Sequence, residues 1–421
     1  MNKKLNRLAA AVSTVSLLAT SFTGLVGAST TGTAVNNTTG ADSKNESSID
    51  VDQSTYVTQK NSGSIVNEIN LKANTGGNEA NKNTGSGDVK SGDIFTGVGI
   101  TNLMNKNVAD VDACGGCDLD LVSSNEKTGA DSYNKSDIDL DKEVLLEQSN
   151  VSYVKNQVDE NLNTGKNEAN KNTGDSLVKT GDISSLTLVE TLANKNLAKV
   201  GATQGGAAKL TAANNTTGYD SHNKADVDVD LSNWATQKNF GNVLNDVEIN
   251  ANTGKNEANK NTGLADVKTG DVGTGVGIST ALNANFLAFD GCCDVEIGVA
   301  NVKTGADSEN KADADLDSVN GTSQANCEEN SHYSIFSMFK KHPSCGVVNL
   351  VDGDLNTGKN ENNKNTADGV KSGDINAGVE VETEENKNIL GSSPVWEWPD
   401  IEMGEMPEGG DSFWFLFGFS G

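Results

Sequence analysis

The chain has 421 residues, with 32 Lys and Arg against 59 Asp and Glu, a net charge of −27 and 5% aromatic residues. Arginine occurs only at Arg7. An anionic chain without guanidinium forks repels phosphate and cannot grip it bidentately, so nucleic acid is excluded as a partner. Composition alone, 35% apolar and rich in Gly, Asn, Asp and Thr, describes a disordered chain, and it is periodicity that argues otherwise.

The N-terminus reads as a secretory signal peptide over residues 1–28. Lys3, Lys4 and Arg7 form a basic start, an apolar run follows from Leu8 to Leu18, and Val26, Gly27 and Ala28 supply the small residues of a cleavage site. Its removal takes the net charge from −27 to −30. No later stretch approaches the ~20 apolar residues that a spanning helix needs. The expected location is therefore extracellular or at the cell surface, with no transmembrane segment after cleavage.

Four repeats come next, at 36–124, 125–213, 214–300 and 301–390. They open on NNTTGADSKN, NEKTGADSYN, NNTTGYDSHN and NVKTGADSEN, and their glycines Gly40, Gly129, Gly218 and Gly305 stand 89, 89 and 87 residues apart. Gly92, Gly181 and Gly270 of the VKSGD and VKTGD strings keep the same spacing, whereas Gly373 follows after 103 because the fourth repeat carries an insertion. The string NTGKNEANKNTG occurs identically at Asn163–Gly174 and Asn252–Gly263, with a near copy from Asn74 and a degraded one from Asn356. A period this regular marks an array of supersecondary units.

Within each repeat, ADVDVDLS, VEINAN and DVEIGVANV alternate apolar with polar residues, the pattern of a strand with one buried face. Asn, Thr and Gly mark the turns. Internal glycine offsets of 9, 36 and 53 residues (Gly76 to Gly85, Gly40 to Gly76, Gly76 to Gly129) lie near multiples of nine. The expected fold is all-β, a β-solenoid-like array with coils of about 18 residues and a turn about every nine. Asn side chains from successive NTG corners would pair along the axis as amide ladders. Some twenty rungs at ~4.8 Å would make a rod roughly 95 Å long. The alternative is a chain of tandem β-sandwich modules of about 89 residues, but a sandwich calls for recurring bulky core residues, and Trp234 has no aromatic counterpart in the second or fourth repeat.

NTGxNxAxxNTG followed by VxTGD and an Asn-rich alternating strand resembles the Asn-rich repeat proteins of the secreted fractions of candidate-phylum and other bacteria. The resemblance covers residues 36 to about 390. It implies a surface location and assigns no chemistry to individual residues.

Six cysteines in an exported chain are disulfide candidates. Cys114 and Cys117 flank a Gly-Gly pair, which suits a structural staple better than a metal or redox site, since a redox CxxC wants a βαβ context. Cys292 and Cys293 stand at the corresponding place in the third repeat, where one sulfur is free to pair with another chain. Cys327 and Cys345 bracket the insertion of the fourth repeat. The tip of that insertion sets Ile335, Phe336, Met338 and Phe339 beside Lys340 and Lys341, an apolar and basic combination suited to a partner or membrane contact, or else an insertion packed on the rod. His332 and His342 lie on the same loop and are read as incidental.

Asp137, Asp139 and Asp141 share one face of a strand, as do Asp226, Asp228 and Asp230, and Asp313, Asp315 and Asp317. These rows form either a solvated acidic face or a place for Ca²⁺, the one cofactor considered, with alternate residues ~6.8 Å apart. No acid–base pair is ordered at a cleft and no catalytic residue is expected. The lysines of TGKN lack the GxxxxGK[ST] string and following helix of a phosphate loop.

Residues 391–421 form an acidic, aromatic tail in which Phe413, Trp414, Phe415, Phe417 and Phe419 cluster. The tail suits docking, self-association included, or folding back over the last rung. The expected function is that of a non-enzymatic, exported structural or adhesin-like protein whose partners are cell-envelope or surface components. A Ca²⁺-stabilised β-sandwich surface protein and a β-helix polysaccharide-processing enzyme are the alternatives.

Overall fold

A computed structural model describes residues 11–23, 30–112, 119–201, 207–289, 294–327 and 345–391. All regular structure among them is β-strand, in order β1 (Ala11–Thr23), β2 (Thr30–Asn37), β3 (Lys44–Asn74), β4 (Gly87–Lys90), β5 (Ile94–Asp112), β6 (Leu119–Glu126), β7 (Tyr133–Asn163), β8 (Ser176–Lys179) and β9 (Ile183–Gly201). The second half continues with β10 (Ala207–Asn215), β11 (His222–Asn252), β12 (Leu264–Lys268), β13 (Val272–Phe289), β14 (Asp294–Val302), β15 (Glu309–Asn326), β16 (Gly346–Asn356), β17 (Ala367–Lys371) and β18 (Ile375–Gly391).

Four parallel sheets result, ordered β1-β5-β9-β13-β18, β14-β10-β6-β2, β15-β11-β7-β3 and β17-β12-β8-β4, with β16 also pairing β11. Neighbouring strands in each sheet lie about one repeat apart in the sequence, so the chain is a β-solenoid in which one repeat is one coil. Tandem sandwiches would instead keep the strands of a repeat together. The register is that of the repeat: Asn45 pairs Asn134, Asn134 pairs Asn223 and Asn223 pairs Asn310.

The coil is therefore 89 residues, not the 18 expected. β7 runs 31 residues without a glycine or proline, so no turn can fall every nine. The nine-residue offsets arise because every corner uses the same Asn, Thr and Gly chemistry, while each corner stacks on its own copy one repeat later. The proportions change accordingly. Four coils at ~4.8 Å occupy roughly 20 Å along the axis, whereas a 31-residue strand spans ~100 Å across it.

Each coil is a flattened arch. The long strand runs out, a corner and a short strand turn it, and the returning layer is built of two pieces, such as β9 followed by β10. The alternation of β7 puts Ile138, Leu140, Val144, Leu146, Val154, Val158 and Leu162 inside, nearly free of solvent. They face the returning layer in separate apolar clusters: Leu121 and Leu210 opposite Ile138 and Leu140, Ala198 and Val200 opposite Val144 and Leu146, Val189 and Ile278 opposite Val158. Buried amides of Gln148, Asn150 and Asn156 separate the second of these clusters from the third.

Insertion of the fourth repeat does not disturb the stack. β15 pairs β11 as far as Asn239↔Asn326, and β16 resumes at Asn242↔Gly346. The chain leaves the strand and re-enters the same register.

Close stacking fixes the corner residues. A Cβ on Gly165 would stand 2.1 Å from the carbonyl oxygen of Gly254, and one on Gly218 2.3 Å from the backbone nitrogen of Ala130. The glycines that mark the repeats are thus required by the coil next door. Lys166 adopts φ 59, and its counterpart in the first coil is Gly77 at φ 74. A β-branched side chain fits the left-handed region poorly. Lys166→Val is expected to cost about 1–2 kcal/mol by urea denaturation, against little change for Lys166→Gly; equal midpoints for the two variants would contradict this.

Candidate functional site

The repeated string is a stacking device. Asn163 Nδ2 donates to Asn74 Oδ1 at 2.7 Å and Asn252 Nδ2 to Asn163 Oδ1 at 2.7 Å, the NTG ladder expected from the sequence. Asn167 Nδ2 donates to Asn256 Oδ1 at 3.1 Å. Thr164 Oγ1 donates to the carbonyl of Gly181 at 2.8 Å, and Thr253 does the same to Gly270 at 2.9 Å, so NTG is stapled to the VKTGD corner of its own coil. In VKTGD the aspartate caps the coil above: Asp271 N–H donates to Asp182 Oδ1 at 2.9 Å.

A second amide network, not expected from the sequence, joins the two layers. Asn61, Asn150, Asn239 and Asn326 of the long strands face Asn107, Asn196, Asn285 and Asn388 of the returning layer. Their amides form one zigzag: Asn61 donates to Asn107 (2.9 Å), Asn107 to Asn150 (3.0 Å), Asn150 to Asn196 (2.8 Å), Asn196 to Asn239 (3.0 Å), Asn239 to Asn285 (2.9 Å), Asn285 to Asn326 (3.0 Å) and Asn326 to Asn388 (2.9 Å). Axial bonds such as Asn107 to Asn196 at 2.8 Å cross-link the steps. Two residues earlier, Asn105, Asn194, Asn283 and Asn386 hold left-handed backbone near φ 60 and form a further ladder through Asn194 to Asn283 at 2.9 Å. The signal was present in the recurring N-x-N of MNKN, ANKN, NAN and ENKN.

The second coil also buries a carboxyl. Glu160 occupies the column of Leu71 and Ile249. It is sealed from solvent and accepts hydrogen bonds from Thr187 Oγ1 at 2.7 Å, Ser185 Oγ and Thr96 Oγ1 at 3.4 Å. Thr187 stands where the adjacent coils have Val98 and Val276, so the acid and this hydroxyl donor occur together. Lys195 is buried beneath the ring of Phe286, 5.4 Å from the centroid. Burial first and Lys106 second lower its pKa to about 8.

The three Asp rows lie on the outward face, and the structure brings them together more closely than one strand does. Asp139 pairs Asp228, which pairs Asp315, and the neighbouring columns are Asp137, Asp226 and Asp313, and Asp141, Asp230 and Asp317. In-register strands set column neighbours ~4.8 Å apart, inside the ~6.8 Å of alternate residues. Asp137, Asp226 and Asp313 are each paired with the lysine two residues before, Lys135 at 2.7 Å, Lys224 at 2.5 Å, and Lys311. Asp139 and Asp228 titrate above the ordinary aspartate value, through desolvation first and then through surrounding aspartates. Desolvation also raises the half-buried Asp182 and Glu190.

A carboxyl raised in the folded chain favours folding below its unfolded value, and that contribution is lost as pH rises through the folded value. The melting temperature is therefore expected to rise on acidification from pH 7 toward the carboxylate range, and with added salt at pH 7. A fall in both series would contradict the ladder geometry.

Cys327 and Cys345 form the expected disulfide, with Cα atoms 5.5 Å apart. The bridge pins the two ends of the insertion where β15 stops and β16 begins. Reduction is expected to cost on the order of 3 kcal/mol, confined to hydrogen-exchange protection in β15 and β16; loss spread evenly over β3, β7 and β11 would contradict that assignment. Cys114, Cys117, Cys292 and Cys293, the insertion with Ile335, Phe336, Phe339, Lys340 and Lys341, and the tail with Phe413, Trp414, Phe415, Phe417 and Phe419 lie outside the described residues.

No family model, no curated protein and no solved structure matches the chain.

Proposed function

We propose that the chain is a non-enzymatic structural or adhesin-like repeat protein, exported and displayed at the cell surface. The observation that carries the reading is where the repeated polar residues go. Asn163, Thr164, Asn167 and Asn172 of the twelve-residue string, and Asp182 of VKTGD, are bound into contacts within and between coils. The residues that recur most faithfully thus hold the coils in register, leaving the acidic outer face to meet the surroundings.

Such a face is soluble through its charge and offers cations or cationic wall polymers long-range attraction. The acid columns keep Ca²⁺ in view as a structural ion, held by carboxylate oxygens. A polysaccharide-processing role would place catalytic acids on that same face.

The experiment is surface labelling and protease shaving of intact producing cells, paired with calorimetry in Ca²⁺ and in chelator. Labelled, processed protein supports the reading, and a chelator-induced drop in melting temperature adds the ion to it. Retention inside the cell with residues 1–28 attached, or turnover of glycans by the purified chain, would overturn it.

A further inference from the structure

The two ends of the stack differ in a way that the coils between them do not. In the fourth coil, side chains that point inward are left uncovered. Val381 is 46% exposed, while Ile278 and Val189 of its column are 2% exposed. Leu390 is 58% exposed above Leu287, and Leu316 is 47% exposed above Val229, both of which are covered by their neighbours. These residues form the cross-section of an apolar core rather than part of a lateral face.

Polar atoms at the two ends are complementary. The ladder Asn36, Asn125, Asn214, Asn301 donates upward at every step, at 2.8 Å each. The ladders from Asn45 to Asn310 and from Asn67 to Asn349 have the same sense. The lower end of these ladders therefore presents the Oδ1 acceptors of Asn36, Asn45 and Asn67, and the upper end presents the amide donors of Asn301, Asn310 and Asn349. The Gln59, Gln148, Gln237, Gln324 ladder runs the other way, and it too matches top to bottom. A two-fold pairing of like ends would set donor against donor and acceptor against acceptor.

The chain also shows that the lower edge accepts a parallel strand from outside the four coils. β1 pairs β5 from Ala11↔Gly97 to Thr23↔Asp110, skipping Asn105 as β9 does. That is the position the β18 of another copy would occupy, and β1 lies within the stretch read as a removable leader.

We propose that the processed chain stacks head to tail on a second copy of itself, β14 to β18 of one molecule forming in-register parallel sheets with β2 to β5 of the next. The joint repeats the interface already present between every pair of coils. Leu316 meets Val51, Asn310 donates to Asn45 and Asn349 donates to Asn67. Because the joint is heterologous and translational, it does not close, and a filament results. Its strands run across the filament axis with a 4.7–4.8 Å repeat. The joint also sets Asp315 over Asp50 and Asp317 over Asp52, so like charge opposes it and salt promotes it.

The test uses full-length protein recovered from the medium after processing, examined by sedimentation against concentration, electron microscopy and fibre diffraction, at low and high salt. Filaments with the 4.8 Å spacing along their axis, more abundant at high salt, are expected. Leu316→Lys with Val381→Lys alters only side chains that are uncovered in the single molecule, and should leave circular dichroism and melting unchanged while abolishing filaments. Thr58→Lys with Thr236→Lys, on the lateral face, should leave filaments intact. A single molecule at every concentration and salt would overturn the proposal. So would filaments that survive Leu316→Lys with Val381→Lys, since assembly would then run through the tail or a lateral face.

Discussion

Gly165→Val is expected to cost more than about 4 kcal/mol, the range reserved for core-breaking substitutions. The residue lies at a corner, where a change of side chain is ordinarily mild. Here the new Cβ would stand 2.1 Å from the carbonyl of Gly254 and 2.7 Å from the backbone of Thr253. Neither is the end of a flexible side chain that can move aside. Relief requires the second and third coils to part locally, and with them the Asn167–Asn256 and Asn163–Asn252 bonds that join the two coils at this corner. In a nearest-neighbour array that loss falls on one interface but splits the stack in two. Urea denaturation should show a lowered midpoint and a second transition. A wild-type midpoint would mean that Gly165 does not sit beneath Gly254.

Asn196→Asp ranks second, at about 3–5 kcal/mol at pH 7, the cost of leaving a buried charge without compensation. Asn196 has no solvent exposure and sits in the middle of the zigzag. It accepts from Asn107 and Asn150, roles a carboxylate can fill. It also donates to Asn239 at 3.0 Å and Asn285 at 2.9 Å, and a carboxylate has no proton to give, so two acceptor oxygens would face its charge. Protonation restores one donor. The introduced group thus has a raised folded pKa, and the deficit should shrink as pH falls through that value. A deficit that is independent of pH would remove the ladder as its cause.

Much of the fold was legible. Alternation gave the strands and the equal spacing of Gly40, Gly129 and Gly218 gave the array. The coil length is obscured because corner chemistry recurs inside a repeat and mimics a shorter period, whereas the 31 residues of β7 with neither Gly nor Pro point to the longer one. Parallel stacking at the full repeat also explains why Trp234 needs no aromatic counterpart: it points outward, 48% exposed, in a column with Tyr56, Leu145 and Gly321. The acidic rows were legible as faces of single strands. Their closer neighbours, one coil away, depend on register, which no local pattern encodes. The N-x-N spine and Glu160 escaped because a polar residue at an inward position reads as a break in alternation until its partner on the opposite layer is known.

Everything rests on residues one repeat apart being neighbours. Glu147 and Thr236 pair in register on the outer face of β7 and β11, and strands ~4.8 Å apart fall within the 4.4–6.8 Å that a disulfide spans between Cα atoms. Glu147→Cys with Thr236→Cys should cross-link within one molecule on mild oxidation, mapped by mass spectrometry of the linked peptides. Glu147→Cys with Glu248→Cys, twelve positions out of register, should not. Failure of the first pair beside ready linkage of the second, or linkage of Glu147→Cys to a cysteine placed 18 residues on, would contradict the 89-residue coil.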